Sequence, residues 1–257
     1  MKLSEAVTLE SDGKIATITF NNPNRYNALA QSDWQAIPLA IAEIVKRDDR
    51  VIIIRGEGGN FCAGADITEF DVVRKDAQSA RFYEAANSEA FAAIRNCPVP
   101  TLARIDGYCL GGGFGIAAAC DLRFASEDAQ FAIPAARLGL AYPIDAMGDI
   151  VRAVGEQMAK RLLYTAARFD ARQMLAAGFL SDVVSAQNLD QTASETASQI
   201  AELAPLTHRS TKAAIAAVHT GDTSLAQTLG DATFESADYA EGRAAFREKR
   251  KAVFKNA

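Results

Sequence analysis

Residues 99–121 read VPTLARIDGYCLGGGFGIAAACD, and the change of character inside this stretch decides the fold class. Val99 to Ile105 is a mostly apolar run set off by Pro98 and Pro100 and closed by Asp106-Gly107, the pattern of a buried strand. Glycines then crowd positions 111–115, and small apolar helix formers continue to Ala119. A buried strand, a glycine turn and an apolar helix in succession belong to an α/β protein whose parallel strands are covered on both faces.

The same grammar recurs upstream. RVIIIR (50–55) is a second continuous apolar run, followed by the glycine-rich loop GEGGNFCAGAD (56–66). Ala6 to Phe20 alternates in polarity around Ser11-Asp12-Gly13, which predicts a β-hairpin. NNPNRYN (21–27) is turn chemistry. From Ser32 the residues Trp34, Ile37, Ile41, Ile44 and Val45 keep helical spacing, with Pro38 marking a kink or a late start. Ile67 to Arg95 is polar but helix-compatible. Downstream, Leu122–Ala125 and Ala129–Ile133 read as short strands, and Gly155–Tyr164 and Ala171–Ala177 as helices, the latter stopped by Gly178. From Ser194 only helices follow, punctuated by Pro205 and Gly221. The expected division is a core over 1–193 and a helical assembly region over 194–257.

Composition narrows the function. The chain has 257 residues, 49% hydrophobic and 23% charged, which suffices for a large core and is far from a disordered composition. A net charge of −5 offers no general field for nucleic acid or an anionic membrane. No apolar stretch approaches the roughly 20 residues that span a bilayer, and Met1 to Glu10 lacks a signal-peptide pattern, so a cytoplasmic location is expected. Cys62, Cys97, Cys109 and Cys120 lack CxxC spacing and read as buried thiols. His208 and His219 are the only histidines; no metal site is expected, and any histidine-based triad would need one of these two.

Two glycine turns, FCAGAD (61–66) and LGGGFG (110–115), each follow a buried strand closely. Glycine lets the main chain approach a ligand, and a helix start adds unpaired N–H groups. Neither turn matches GxGxxG or GxxxxGK[ST]. An oxyanion hole, a phosphate site and tight packing are all compatible with such turns.

NNPNRYNAL (21–29), FCAGADITEF (61–70), IDGYCLGGGFGIAAACDLRFASEDAQF (105–131), ARLGL (136–140) and EGRAAFREKRKAVF (241–254) together resemble the crotonase superfamily, the enoyl-CoA hydratase/isomerase family, in order along nearly the whole chain. The resemblance implies a spiral of ββα units with a C-terminal helical trimerisation region, a homotrimer or hexamer, and an acyl-CoA thioester substrate with no cofactor beyond that CoA. It places the two oxyanion N–H donors at Ala65 and Gly112. Contacts to CoA would come from the Arg25–Ala28 loop, from the main chain at Ala63 and Ile67, and from Phe246 and Lys249 reaching across from a neighbouring subunit.

The chain departs from the hydratases at the two positions of their catalytic glutamates, where it has Gly115 and Ala135. Hydration needs a base and an acid, roles neither residue can fill. In other members of the superfamily the following loop carries catalytic groups, and by that resemblance Tyr142 and Asp145 are the candidates. The expected function is an enzyme of the enoyl-CoA hydratase/isomerase type that stabilises a thioester enolate. Its alternatives are a decarboxylase or isomerase using Tyr142 or Asp145, or a non-catalytic acyl-CoA binder. Glu69, Glu84 and Glu89 fall in the polar stretch that, by resemblance, covers the acyl pocket; they read as solvated helix positions, with one of them facing inward as the alternative. Asp66 reads as a turn or cap, and His208 receives no role.

Overall fold

The computed structural model describes residues 1–256. The apolar run read as a doubly covered strand is β3 (Val51–Gly56), lying between β2 (Ile15–Phe20) and β4 (Thr101–Ile105) and parallel to both. With the hairpin strand β1 (Val7–Ser11), β6 (Leu122–Ser126) and β9 (Asp182–Val184) it completes a six-stranded sheet in the order β1-β2-β3-β4-β6-β9. Only β1 runs antiparallel to its neighbour. Side chains alternate along β3: Ile52 and Ile54 join the main core, while Val51 and Ile53 face a second cluster with Leu102, Phe124 and Leu189.

Asp106-Gly107 turns the chain off this sheet into a smaller one, built from β5 (Tyr108–Leu110), β7 (Gln130–Ala132) and β8 (Phe169–Asp170) in the order β5-β7-β8. Helix α1 (Gln31–Lys46) buries Trp34, Ile37, Ile41 and Ile44, with Pro38 inside it and no delay of its start. Asp33 anchors that start: its carboxylate accepts the Ala30 N–H at 2.9 Å and the Ser4 hydroxyl at 2.6 Å. The polar stretch after the first glycine turn becomes a short α2 (Phe70–Val73) and the long α3 (Ala77–Arg95), capped by Asp76 accepting from Gln78 and Ser79. Helix α4 (Gly112–Ala119) is buried from Gly113 to Ala119, as an all-apolar helix must be.

The segment expected to form a loop before Gly155 is instead helical. Helix α5 (Ile144–Thr165) starts directly after Pro143 and breaks at Gly155, where φ is +73°. Ala146, Asp149, Ile150 and Val154 fall at helical spacing on its buried side. Five helices complete the chain: α6 (Ala171–Ala176), α7 (Ala186–Ala201), α8 (Pro205–Thr220), α9 (Ser224–Glu235) and α10 (Ala237–Glu248). The division expected between 193 and 194 falls inside α7, whose Leu189, Ala197 and Ala201 cover the second face of the large sheet. That helix therefore belongs to the core. All four cysteines are free and buried. No helix among the described residues is long and apolar enough to cross a membrane.

Candidate functional site

The two glycine turns meet. The chain from Phe61 to Gly64 runs beside β5, with the Cys62 N–H donating to Tyr108 O and the Leu110 N–H to Cys62 O, each at 2.9 Å. On its far side, Leu29 donates to Gly64 O and accepts from the Asp66 N–H, both at 2.8 Å. This ladder presses one turn against the other: a Cβ on Gly64 would stand 2.8 Å from the Gly112 nitrogen, and one on Gly113 would stand 2.2 Å from Cys62 O. Gly64 also has φ +95°, a conformation that only glycine adopts freely. Glycine is thus required in both turns for the contact to exist.

The amides beside the contact are mostly spoken for: Ala63 donates to Tyr26 O at 2.9 Å and Gly111 to Ala132 O at 2.8 Å. The N–H groups of Ala65 and Gly112 have no acceptor among the described residues. Both residues are half-buried and border one cavity of about 100 Å³. Its walls are apolar, from Trp34, Phe70, Phe91, Ala135, Leu138 and Leu140, and Ala63 and Ile67 also line it.

Tyr142 lines the cavity too, and its hydroxyl donates to Gly111 O at 2.8 Å. Burial pushes its phenol well above the ordinary tyrosine range. A Cβ on Gly115 would lie 2.7 Å from Phe91 Cζ and 2.8 Å from Tyr142 Oη. Position 115 therefore has no room for a side chain, because Phe91 and Tyr142 already fill its place.

Glu84 was expected on a solvated face; it lines the cavity instead. Its Oε1 is 2.6 Å from Arg74 Nη2, and its Oε2 is buried without a hydrogen-bond partner among the described residues. Arg74 in turn lies over the rings of Phe70 and Tyr83, 4.4 and 4.6 Å from their centroids. Burial raises the Glu84 carboxyl above its ordinary range against the opposing pull of Arg74. Asn87, one helical turn on, also faces the cavity and has a buried Nδ2 with no partner among the described residues. The usable signal was the spacing of Glu84, Asn87 and Phe91, which places all three on one face of α3.

The remaining candidates lie apart from the cavity wall or at its edge. Asp145, expected as a catalytic group, is exposed in the first turn of α5 and does not line the cavity. The helix that replaces the expected loop turns it outward. Glu69 accepts the Gln31 N–H at 2.9 Å, and Glu89 is exposed. Asp66 caps the turn that follows it, accepting from the Thr68 N–H. Although burial opposes its charge, the Thr68 hydrogen bonds and the Arg25 guanidinium, 2.5 Å away, hold the Asp66 carboxyl below its ordinary range. Arg25 also donates to Thr68 at 2.7 Å, and Ala28 beside it is buried. Phe246 faces a separate groove with Leu206, Phe234 and Tyr239, and Lys249 ends α10. Within one chain neither lines the cavity.

A family model described as enoyl-CoA hydratase/isomerase matches residues 10–257. The chain is 34% identical to a short-chain-enoyl-CoA hydratase of Clostridium acetobutylicum, over 97% of this chain and 98% of that protein. It is 33% identical to a crotonyl-CoA hydratase of Syntrophomonas wolfei, with the same coverage of 97% and 98%. Among solved structures, an enoyl-CoA hydratase/carnithine racemase from Magnetospirillum magneticum superposes with a TM-score of 0.93 at 34% identity, covering 99% of this chain and 97% of that one.

Proposed function

The chain belongs to the enoyl-CoA hydratase/isomerase family and has its crotonase-type α/β fold, and from that premise we propose that it binds an acyl-CoA thioester and stabilises the enolate of that thioester with the N–H groups of Ala65 and Gly112. The observation that carries the reading is the pair of amides without protein acceptors, on two turns in contact, at the rim of an apolar cavity. A thioester oxygen gains charge as its α-carbon becomes enolate-like, so fixed donors favour the transition state over the bound substrate. One such donor is worth about 3–4 kcal/mol of barrier. The Gly112 amide adds the positive end of α4.

Positions 115 and 135 hold Gly and Ala. Water addition lacks its two carboxylates there, so the chemistry we assign is enolate formation of the isomerase or lyase kind, with hydration disfavoured. Such chemistry needs no cofactor beyond the CoA of the substrate. Arg25, at about half exposure next to the turn, is assigned to CoA phosphate binding. Phe246 and Lys249 are assigned to the same role in an adjoining copy, within a homotrimer or hexamer.

Vibrational spectroscopy of crotonyl-CoA labelled at the thioester carbonyl tests the reading directly. The C=O stretch of the bound ligand is expected at lower frequency than in water, as two N–H donors polarise the bond. A bound ligand with an unshifted stretch overturns it.

A further inference from the structure

Glu84 is the only acidic side chain lining the cavity among the described residues. It sits on the face of α3 that also carries Asn87 and Phe91 to the cavity. One of its oxygens is anchored by Arg74 at 2.6 Å, and the other is buried with no partner among the described residues. The Tyr142 hydroxyl, the other ionisable group of the wall besides Arg74, is committed to Gly111 O.

We propose that Glu84 is the acid–base group of this site, and that it carries one proton between the α- and γ-carbons of an enoyl thioester. The assignment rests on the enolate reading above. In the step, the Glu84 carboxylate takes a proton from the α-carbon of a 3-enoyl thioester. The electrons of the broken C–H bond form the Cα=C bond of the enolate, whose oxygen is held by the Ala65 and Gly112 amides. The enolate then collapses: the C–O⁻ pair restores the carbonyl, the α,β double bond forms, and the electrons of the β,γ double bond take the same proton from the Glu84 carboxylic acid at the γ-carbon. The substrate is isomerised and Glu84 is returned to its starting state. No water, oxidant or second carboxylate is consumed, which fits a cavity with a single one. Burial raises the Glu84 carboxyl against the pull of Arg74, which makes its carboxylate a stronger base toward the α-proton than a solvated one.

The test follows conversion of 3-butenoyl-CoA to crotonyl-CoA, with calorimetry of butyryl-CoA as the binding control. Glu84→Gln is expected to lower kcat by about 10²–10⁴-fold while butyryl-CoA affinity stays within about threefold; Glu89→Gln, at an exposed position of the same helix, is expected to keep its turnover. A second readout uses the native protein alone: with 3-butenoyl-CoA deuterated at C2, label is expected at C4 of the product. Turnover of Glu84→Gln within threefold of native, a native protein that binds butyryl-CoA without isomerising 3-butenoyl-CoA, or product with no label at C4 each overturns this inference and leaves the enolate reading standing. A native protein that binds no acyl-CoA overturns both.

Discussion

Gly115 is a glycine because two neighbours occupy the space that a side chain would need. Phe91 and Tyr142 close over it at distances that no real Cβ tolerates. Gly115→Ala is therefore expected to destabilise the protein by about 1–3 kcal/mol, the usual range for overpacking a core, read as a lowered urea midpoint. The loss is expected to shrink in a Tyr142→Phe background, where the clashing Tyr142 oxygen is gone and only the two Phe91 atoms remain. Equal losses in both backgrounds would contradict the packing argument. The sequence shows that 115 and 135 carry no carboxylate, and the resemblance places Tyr142 near the site, where the structure also puts it. The sequence left open that one of Glu69, Glu84 and Glu89 turns inward, but not which. The cation that makes the burial of Glu84 tolerable, Arg74, belongs to a separate short helical stretch, and the polar helix around Glu84 reads as solvated. Asp145, which the resemblance set in a loop, stands exposed in the first turn of α5.

Among the elements, β3 and β4 were legible because burial on both faces leaves unbroken apolar runs. β5, β8 and β9 were not, being only 3, 2 and 3 residues long, too short to show a period. The first half of α5 was hidden because the resemblance set this segment in a loop, whereas the helix starts directly after Pro143. The terminal helices α8 to α10 leave large apolar side chains in the open: Val218 is 82% exposed, Phe234 68% and Phe246 86%. Phe234 and Phe246 border one groove, and the assembly proposed above would cover it with another copy of the chain. Light scattering at micromolar concentration is expected to give the mass of a trimer or hexamer, and Val218→Lys with Phe234→Glu is expected to lower it. A monomeric native protein would remove the assignment.

At the scale of the whole molecule, the buried thiols make the fold sensitive to alkali. Burial lifts Cys62 and Cys120 from the ordinary value of 9.0 to about 12, and raises Cys97 and Cys109 as well. Between these values the folded chain holds protons that the unfolded chain has released, so stability falls as pH rises. The thiol contribution is fully present below about pH 9 and is lost on the way to about pH 12. The urea midpoint of a Cys62→Ala/Cys120→Ala variant is expected to depend less steeply on pH over that window than the native one; parallel curves would refute the account. The ladder through Leu29, Cys62 and β5 has a different consequence. The turn carrying Ala63 to Ala65 is tied into backbone pairing on both sides, while the cavity-lining residues Ala135, Leu138 and Leu140 lie in and just after a short helical turn. If the proposed acyl-CoA reading holds, reprogramming this protein for a bulkier acyl chain is thus a matter of screening libraries at Ala135, Leu138 and Leu140, with the two glycine turns carried through every round unaltered.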